Sequence, residues 1–323
     1  MSGDAPSSPV GQRKSGRWAR SWRGGRRAAQ TTEVAAPAAL ALEAGWSDGL
    51  LEPGPERYVG LLLRCLTRTG FGEPQPEAPL GDDLDAEVRA RVNGYLAEHD
   101  LAVVRRTLPD PMERELGRDW PTQAETMIGM RRLVHLACCV ARVVTEGVPG
   151  DVLEAGVWRG GACILMAGVL AVVADTERKV WAADSFAGLP KPDAERYPAD
   201  ADDRHWTFTE LAVDLDSVRR NFARYDLLDD RVQFLQGWFA DTLPKAPVSS
   251  LAVLRVDGDM YGSTMEVLEA LYPKLSVGGY CIIDDYGAVA GCRAAVTDFR
   301  AAYGIDDPME TIDWTGAAWR RSR

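Results

Sequence analysis

The chain has 323 residues, of which 46% are hydrophobic and 26% charged, a balance that excludes a disordered or fibrous protein over most of its length. It is long enough to bury a real core, and it has no apolar run long enough to span a bilayer. A formal net charge of −11 argues against nucleic acid as the main partner.

The charge is uneven. Arg13, Lys14, Arg17, Arg20, Arg23, Arg26 and Arg27 stand against the single acid Asp4 near the start. Residues 1–45 are rich in Ser, Gly, Pro, Ala and Arg without helical or strand period, which reads as a disordered basic tail. Ala35–Ala44 is too short and Ala-rich for a signal peptide and reads as linker. A chain starting near Gly49 is therefore expected to fold as well as the whole. From Arg57, Tyr58, Leu61, Leu62, Cys65 and Leu66 recur at helical spacing until the Pro/Gly-rich stretch Gly70–Gly81. Helices are also expected over 84–97 and 124–146, the latter introduced by Pro121 and Thr122. Residues 46–147 thus form a helical annex or lid region.

The character changes at Gly150. Asp151–Ala155, Lys179–Asp184, Arg231–Gln236, Leu251–Asp257 and Gly279–Asp284 read as strands. Between and after them, Gly160–Val173, Leu215–Tyr225, Ser263–Leu275 and Ala288–Tyr303 read as helices. Alternation of this kind implies right-handed crossovers and an α/β fold over residues 148–323, with a mostly parallel, doubly wound sheet. The six cysteines form no CxxC pair and lie mostly in apolar runs, so buried free thiols and a reducing, cytoplasmic compartment are expected.

Ligands of an open α/β sheet bind beyond the carboxyl ends of its strands. In chain order those ends carry Glu154 with Gly156, Gly160 and Gly161; Asp184; Gly237 with Trp238; Asp257 with Asp259; and Asp284 with Asp285. A glycine turn between strand and helix lets a backbone approach a nucleotide closely. Glu154 suits a positively charged ligand and Asp184 a ribose, which favours S-adenosylmethionine over NAD. Asp257 and Asp259, two apart, share one face if both are still extended. Carboxylates gathered without a cation would be driven toward neutrality, so an oxygen-only cluster points to Mg²⁺ or another hard divalent ion.

These residues sit in longer stretches that resemble the macrocin O-methyltransferase (TylF-like) family. They include Trp120-Pro121, Thr126–Gly129, Gly147–Gly161, Ala183–Pro190, Asp241–Pro244, Leu254–Thr264, Ile283–Tyr286 and Ile312–Trp314. The resemblance runs from about Asp119 to Arg321, and 56–118 match only loosely. It implies a Rossmann-like class I, Mg²⁺-dependent methyltransferase that moves a methyl group from S-adenosylmethionine to a sugar hydroxyl of a glycosylated natural product. Asp257, Asp284 and Asp285 would bind the metal and Asp259 would be the general base. Cofactor contacts would fall on Thr126, Met127, Glu154, Gly156, Asp184, Ser185, Gly237 and Trp238. A small glycosylated acceptor is then the expected partner, with neither nucleic acid nor membrane, and a homo-oligomer is compatible with the pattern. His205, in the stretch Lys191–Thr209 where a substrate lid would lie, is an alternative base. The competing readings are a catechol-type O-methyltransferase, a non-catalytic binding module of the same fold, and an NAD-linked oxidoreductase.

Overall fold

The computed structural model describes residues 45–69, 73–74, 85–101, 103, 106–107 and 110–323. The basic tail expected over 1–45 lies outside the described residues except for Gly45. Helix α1 (Pro53–Thr67) opens on a proline, which suits the first helical turn because that N–H needs no partner. Val59, Leu62, Leu63 and Leu66 give it one buried stripe. Helix α2 (Ala86–Glu98) is capped by Asp85, which accepts from the Glu87 and Val88 nitrogens. Helix α3 (Pro111–Leu116) is capped by Asp110 in the same way. Helix α4 (Met130–Thr145) begins six residues later than expected, at the Gly129 cap, because residues before it form an irregular segment against the glycine turn described below.

The strands of the main sheet are β1 (Asp151–Ala155), β2 (Val180–Asp184), β3 (Val232–Gln236), β4 (Leu251–Val256), β5 (Leu275–Ile283), β6 (Met309–Thr311) and β7 (Ala317–Arg320). The longer α-helices between them are α5 (Gly161–Val172), α6 (Leu215–Arg224), α7 (Tyr261–Leu271) and α8 (Ala290–Ala302). They form a seven-stranded sheet in the order β3-β2-β1-β4-β5-β7-β6. All neighbours are parallel except β7, which runs against both β5 and β6. The terminal hairpin is absent from the sequence reading, since its short strands show no alternation of polar and apolar residues. It adds an antiparallel edge to an otherwise parallel sheet.

Successive residues of a strand face opposite ways, so each face of the sheet has its own core. On one, Leu62, Leu133, Leu136 and Val140 of α1 and α4 pack with Ile164 and Leu165 of α5 and with Val152 and Val253 of the sheet. On the other, Val267 and Leu268 of α7 and Phe299 of α8 cover Leu153, Leu254, Ile283 and Trp319. All six cysteines are free, four of them buried. No described helix is long and apolar enough to cross a membrane.

The entry into α1 corrects the expected starting point near Gly49. Glu56 accepts hydrogen bonds from the nitrogens of Gly45 and Ser47, both at 3.0 Å, and from the Ser47 hydroxyl at 2.9 Å. The hydrogen bond from the Ser47 backbone N–H, followed by that from Gly45, holds the Glu56 carboxyl below its usual range. Trp46 and Leu51 join the core beside it. A chain beginning at Gly45 should therefore melt close to the full chain, whereas one beginning at Gly49 should melt several degrees lower. Equal melting of the two by calorimetry would show that this cap contributes nothing.

Candidate active site

The carboxyl ends of the parallel strands form one rim, and the order of the sheet reverses between β1 and β4. Gly156, just after β1, has φ +93°, and a Cβ on it would lie 1.7 Å from the carbonyl oxygen of Asp257. Only a residue without a side chain lets these two chain segments touch. Gly161 plays a similar part at the start of α5, where a Cβ would lie 2.6 Å from the Glu125 carbonyl oxygen, to which its own nitrogen donates at 3.0 Å. That contact brings Thr126 and Met127 to the glycine turn. The Thr126 hydroxyl accepts from the Ile128 nitrogen at 3.2 Å, and Arg114 donates to the Met127 carbonyl at 2.9 Å.

Asp184 binds this turn to β2. One carboxylate oxygen accepts from the nitrogens of Val157 (2.7 Å) and Trp158 (3.3 Å), and the other from Phe186 (2.7 Å). Burial raises its pKa, opposed by those three N–H groups. Ser185 donates to the Gly188 carbonyl at 2.6 Å, and the Gly237 nitrogen donates to the Asp184 carbonyl at 2.9 Å. Trp238 stands beside Gly237 with 41% of its surface exposed. Gly156→Ala is expected to destabilise the fold by about 4 kcal/mol or more, since neither backbone can yield without opening the β1–β4 pair. Thermal melting checks this, and an unchanged midpoint would mean that the contact relaxes freely.

The acid side lies over β4 and β5. Asp257, Asp284 and Asp285 offer ligand oxygens that lie within 4.8 Å of one another. Arg255, fully buried, donates through Nη1 to Glu154 and to Asp257 (2.8 Å) and through Nη2 to Asp284. Arg132 of α4 donates to the second oxygen of Asp284 and, through Nε, to Asp313 at 3.0 Å. Even so, burial and the negative charge of Asp284 push the Asp257 pKa up to about 8. Burial, then Asp259 and Asp257, raise Asp285 in the same direction.

Asp259 is not extended. Its φ is +55°, so the shared strand face expected for Asp257 and Asp259 gives way to a left-handed turn beyond the end of β4. The Asp259 nitrogen donates to Asp285 at 3.2 Å. Burial raises the Asp259 carboxyl and the charge of His205 opposes it. His205 Nδ1 lies 2.6 Å from Asp203. Burial lowers the imidazole pKa, but the bond to Asp203 and the charge of Asp259 leave it raised. His135 pairs with Glu310 of β6 and His99 stacks on Tyr95 of α2.

Glu154 stands apart from the other expected cofactor residues. Its oxygens are taken by Arg255 and by the Cys163 thiol at 2.9 Å, with 2% of its surface exposed. The two arginines are absent from the sequence reading. Arg255 did leave a signal, a lone charge within the apolar run Leu251–Val256. Its pairing opposite Glu154 across β1 and β4 needs the register.

A doubly wound sheet with a glycine turn after its first strand and acids after the fourth and fifth has the form of a class I methyltransferase. The chain belongs to the macrocin-O-methyltransferase (TylF) family, whose model matches residues 55–321 and so takes in α1 to α3 as well as the part from Asp119 onward. It is 54% identical over 215 residues to the 8-demethyl-8-(2,3-dimethoxy-alpha-L-rhamnosyl)-tetracenomycin-C 4'-O-methyltransferase of Streptomyces olivaceus, covering 66% of this chain and 82% of the relative. It is 53% identical over 212 residues to the mycinamicin III 3''-O-methyltransferase of Micromonospora griseorubida, covering 65% and 83%. The solved structure of the O-methyltransferase NovP superposes with a TM-score of 0.67 at 43% identity, covering 83% of this chain and all of that one. The protein is an S-adenosylmethionine-dependent O-methyltransferase.

Proposed function

We propose that the protein methylates a hydroxyl of a deoxysugar on a glycosylated natural product, with Mg²⁺ held by Asp257, Asp284 and Asp285 and with Asp259 as the general base. The observation that carries this reading is the contact of Gly156 with Asp257, which sets the glycine turn directly beside the acids. The relatives' names describe methyl transfer to a rhamnosyl tetracenomycin and to mycinamicin III, which supports a glycosylated acceptor here.

The residues present fit both groups. The glycine turn is packed directly against Asp257 and Thr126, and Thr126, Met127, Gly156, Asp184, Ser185, Gly237 and Trp238 line the cofactor side, with Glu154 acting through Arg255. The donor set on the acid side is oxygen only, suited to a hard divalent cation. Burial and the neighbouring charge of Asp284 push the Asp257 pKa up to about 8 in spite of Arg255. When bound, S-adenosylmethionine supplies an electrophilic methyl group, and Mg²⁺ supplies positive charge that lowers the pKa of a coordinated hydroxyl. Asp259 takes the hydroxyl proton onto its carboxylate. Gly156 and Asp184 keep the cofactor side in register with the acids, so that the reacting partners are held close.

Chelation with EDTA should abolish methylation of mycinamicin III or of the rhamnosyl tetracenomycin, and Mg²⁺ should restore it. Turnover of a catechol in place of both glycosides would favour the catechol-type reading, and full activity in chelator would remove the metal from the mechanism. The pH dependence has a definite sign. Asp257 is raised from its ordinary value near 3.8 to about 8, so without metal the fold loses stability as pH rises through that window. Thermal stabilisation by Mg²⁺ should therefore be larger near the top of the window than near the bottom, and equal shifts at both ends would contradict this.

A further inference from the structure

The loop that leaves β2 returns across the acid end of the sheet and joins the start of α7. Asp200 lies 2.7 Å from the backbone nitrogen of Tyr261 through one oxygen and 2.7 Å from that of Gly262 through the other. The first N–H groups of a helix have no partner within it, and the residue preceding α7, Met260, offers no side-chain oxygen. The cap comes instead from about sixty residues upstream, on a side chain with 4% of its surface exposed.

Two further contacts fix the same loop. The Tyr197 ring fills the space beside Gly262, where a Cβ would lie 2.4 Å from it, and the Tyr197 hydroxyl donates to Glu266 of α7 at 3.4 Å. Three residues past Asp200, Asp203 holds both the backbone nitrogen (2.8 Å) and Nδ1 (2.6 Å) of His205. On the other side of this junction is the left-handed turn at Asp259, φ +55°, whose nitrogen is tied to Asp285. Aspartate visits this conformation more readily than most side chains, and here two other carboxylates hold the turn in place. Asp285 does so before the turn and Asp200 after it.

We propose that Asp200 is a positioning residue for methyl transfer, its carboxylate clamping the loop of Tyr197 to His205 onto the first turn of α7 and so fixing the turn that carries Asp259. The proposal rests on the reading of Asp259 as the base. It ties the segment expected to cover the acceptor to the residue that takes the acceptor's proton, through a side chain of that segment whose hydrogen bonds go to Tyr261 and Gly262.

The experiment compares Asp200→Ala, Asp200→Asn and Asp259→Asn in the full chain, using mycinamicin III and the rhamnosyl tetracenomycin as acceptors and S-adenosylhomocysteine as the binding probe. Asp200→Ala should lower kcat by about 10–100-fold, the scale of a lost alignment, and raise the acceptor KM. Its affinity for S-adenosylhomocysteine should stay nearly unchanged, and amide exchange at Tyr261 and Gly262 should quicken. Asp200→Asn keeps one acceptor oxygen and should recover part of the loss; it carries the test if the alanine variant fails to fold. Full turnover in a folded variant, unchanged exchange at the two amides, or a loss of cofactor affinity in step with kcat would each overturn the proposal. Asp259→Asn separates the two readings. If it turns over normally, the base assignment fails by itself. If it is slow while Asp200→Ala is as fast as the natural chain, only the positioning role fails.

Discussion

Asp259→Asn is expected to lower kcat by roughly 10²–10⁴, the range for losing a positioned base, while S-adenosylhomocysteine and Mg²⁺ still bind. The reason is the turn. Asp259 leaves the line of β4 at φ +55°, and the ligand oxygens that converge belong to Asp257, Asp284 and Asp285 without it. Its backbone nitrogen, not its carboxylate, is what binds Asp285, so the amide replacement keeps that link. Asp257→Asn should behave differently and weaken metal affinity first. Single-turnover rates together with metal titration of each variant check both statements. Near-normal turnover in Asp259→Asn, or loss of metal there with Asp257→Asn unaffected, would exchange the two roles.

Arg255→Met should be the most damaging single change to stability away from the glycine turn. One buried guanidinium serves Glu154, Asp257 and Asp284 together, and removing it leaves three acids without their common cation. Breaking a buried ionic cluster from one side costs about 3–5 kcal/mol, and the melting midpoint should fall by roughly 5–8 °C for a chain of this size. Adding Glu154→Gln should recover part of the loss, because Glu154 and Arg255 face each other across β1 and β4. A midpoint close to that of the natural chain in Arg255→Met would mean the acids find enough compensation from Arg132 alone.

The alternation of strands and helices from Gly150 onward was legible because apolar runs closed by turn residues report strands wherever a parallel sheet is buried on both faces. All five parallel strands lie where the pattern put them, with ends shifted by a few residues. The rim was legible for the same reason, since strand ends in such a sheet converge on one side. The terminal hairpin was not, because strands of three and four residues at the sheet edge carry too little pattern.

The sequence alone therefore determined the α/β class, the family resemblance, and the acids and glycines that gather at one rim, because these follow from local period and from short motifs. The tertiary structure decided what each acid does there. Register set Glu154 against Arg255, and the packing of α4 on the sheet carried Arg132 to Asp284. A left-handed turn took Asp259 off the strand, and a loop from β2 supplied the cap of α7 through Asp200. Each of these joins residues far apart in the chain, and no local periodicity records a pairing that only the folded sheet creates.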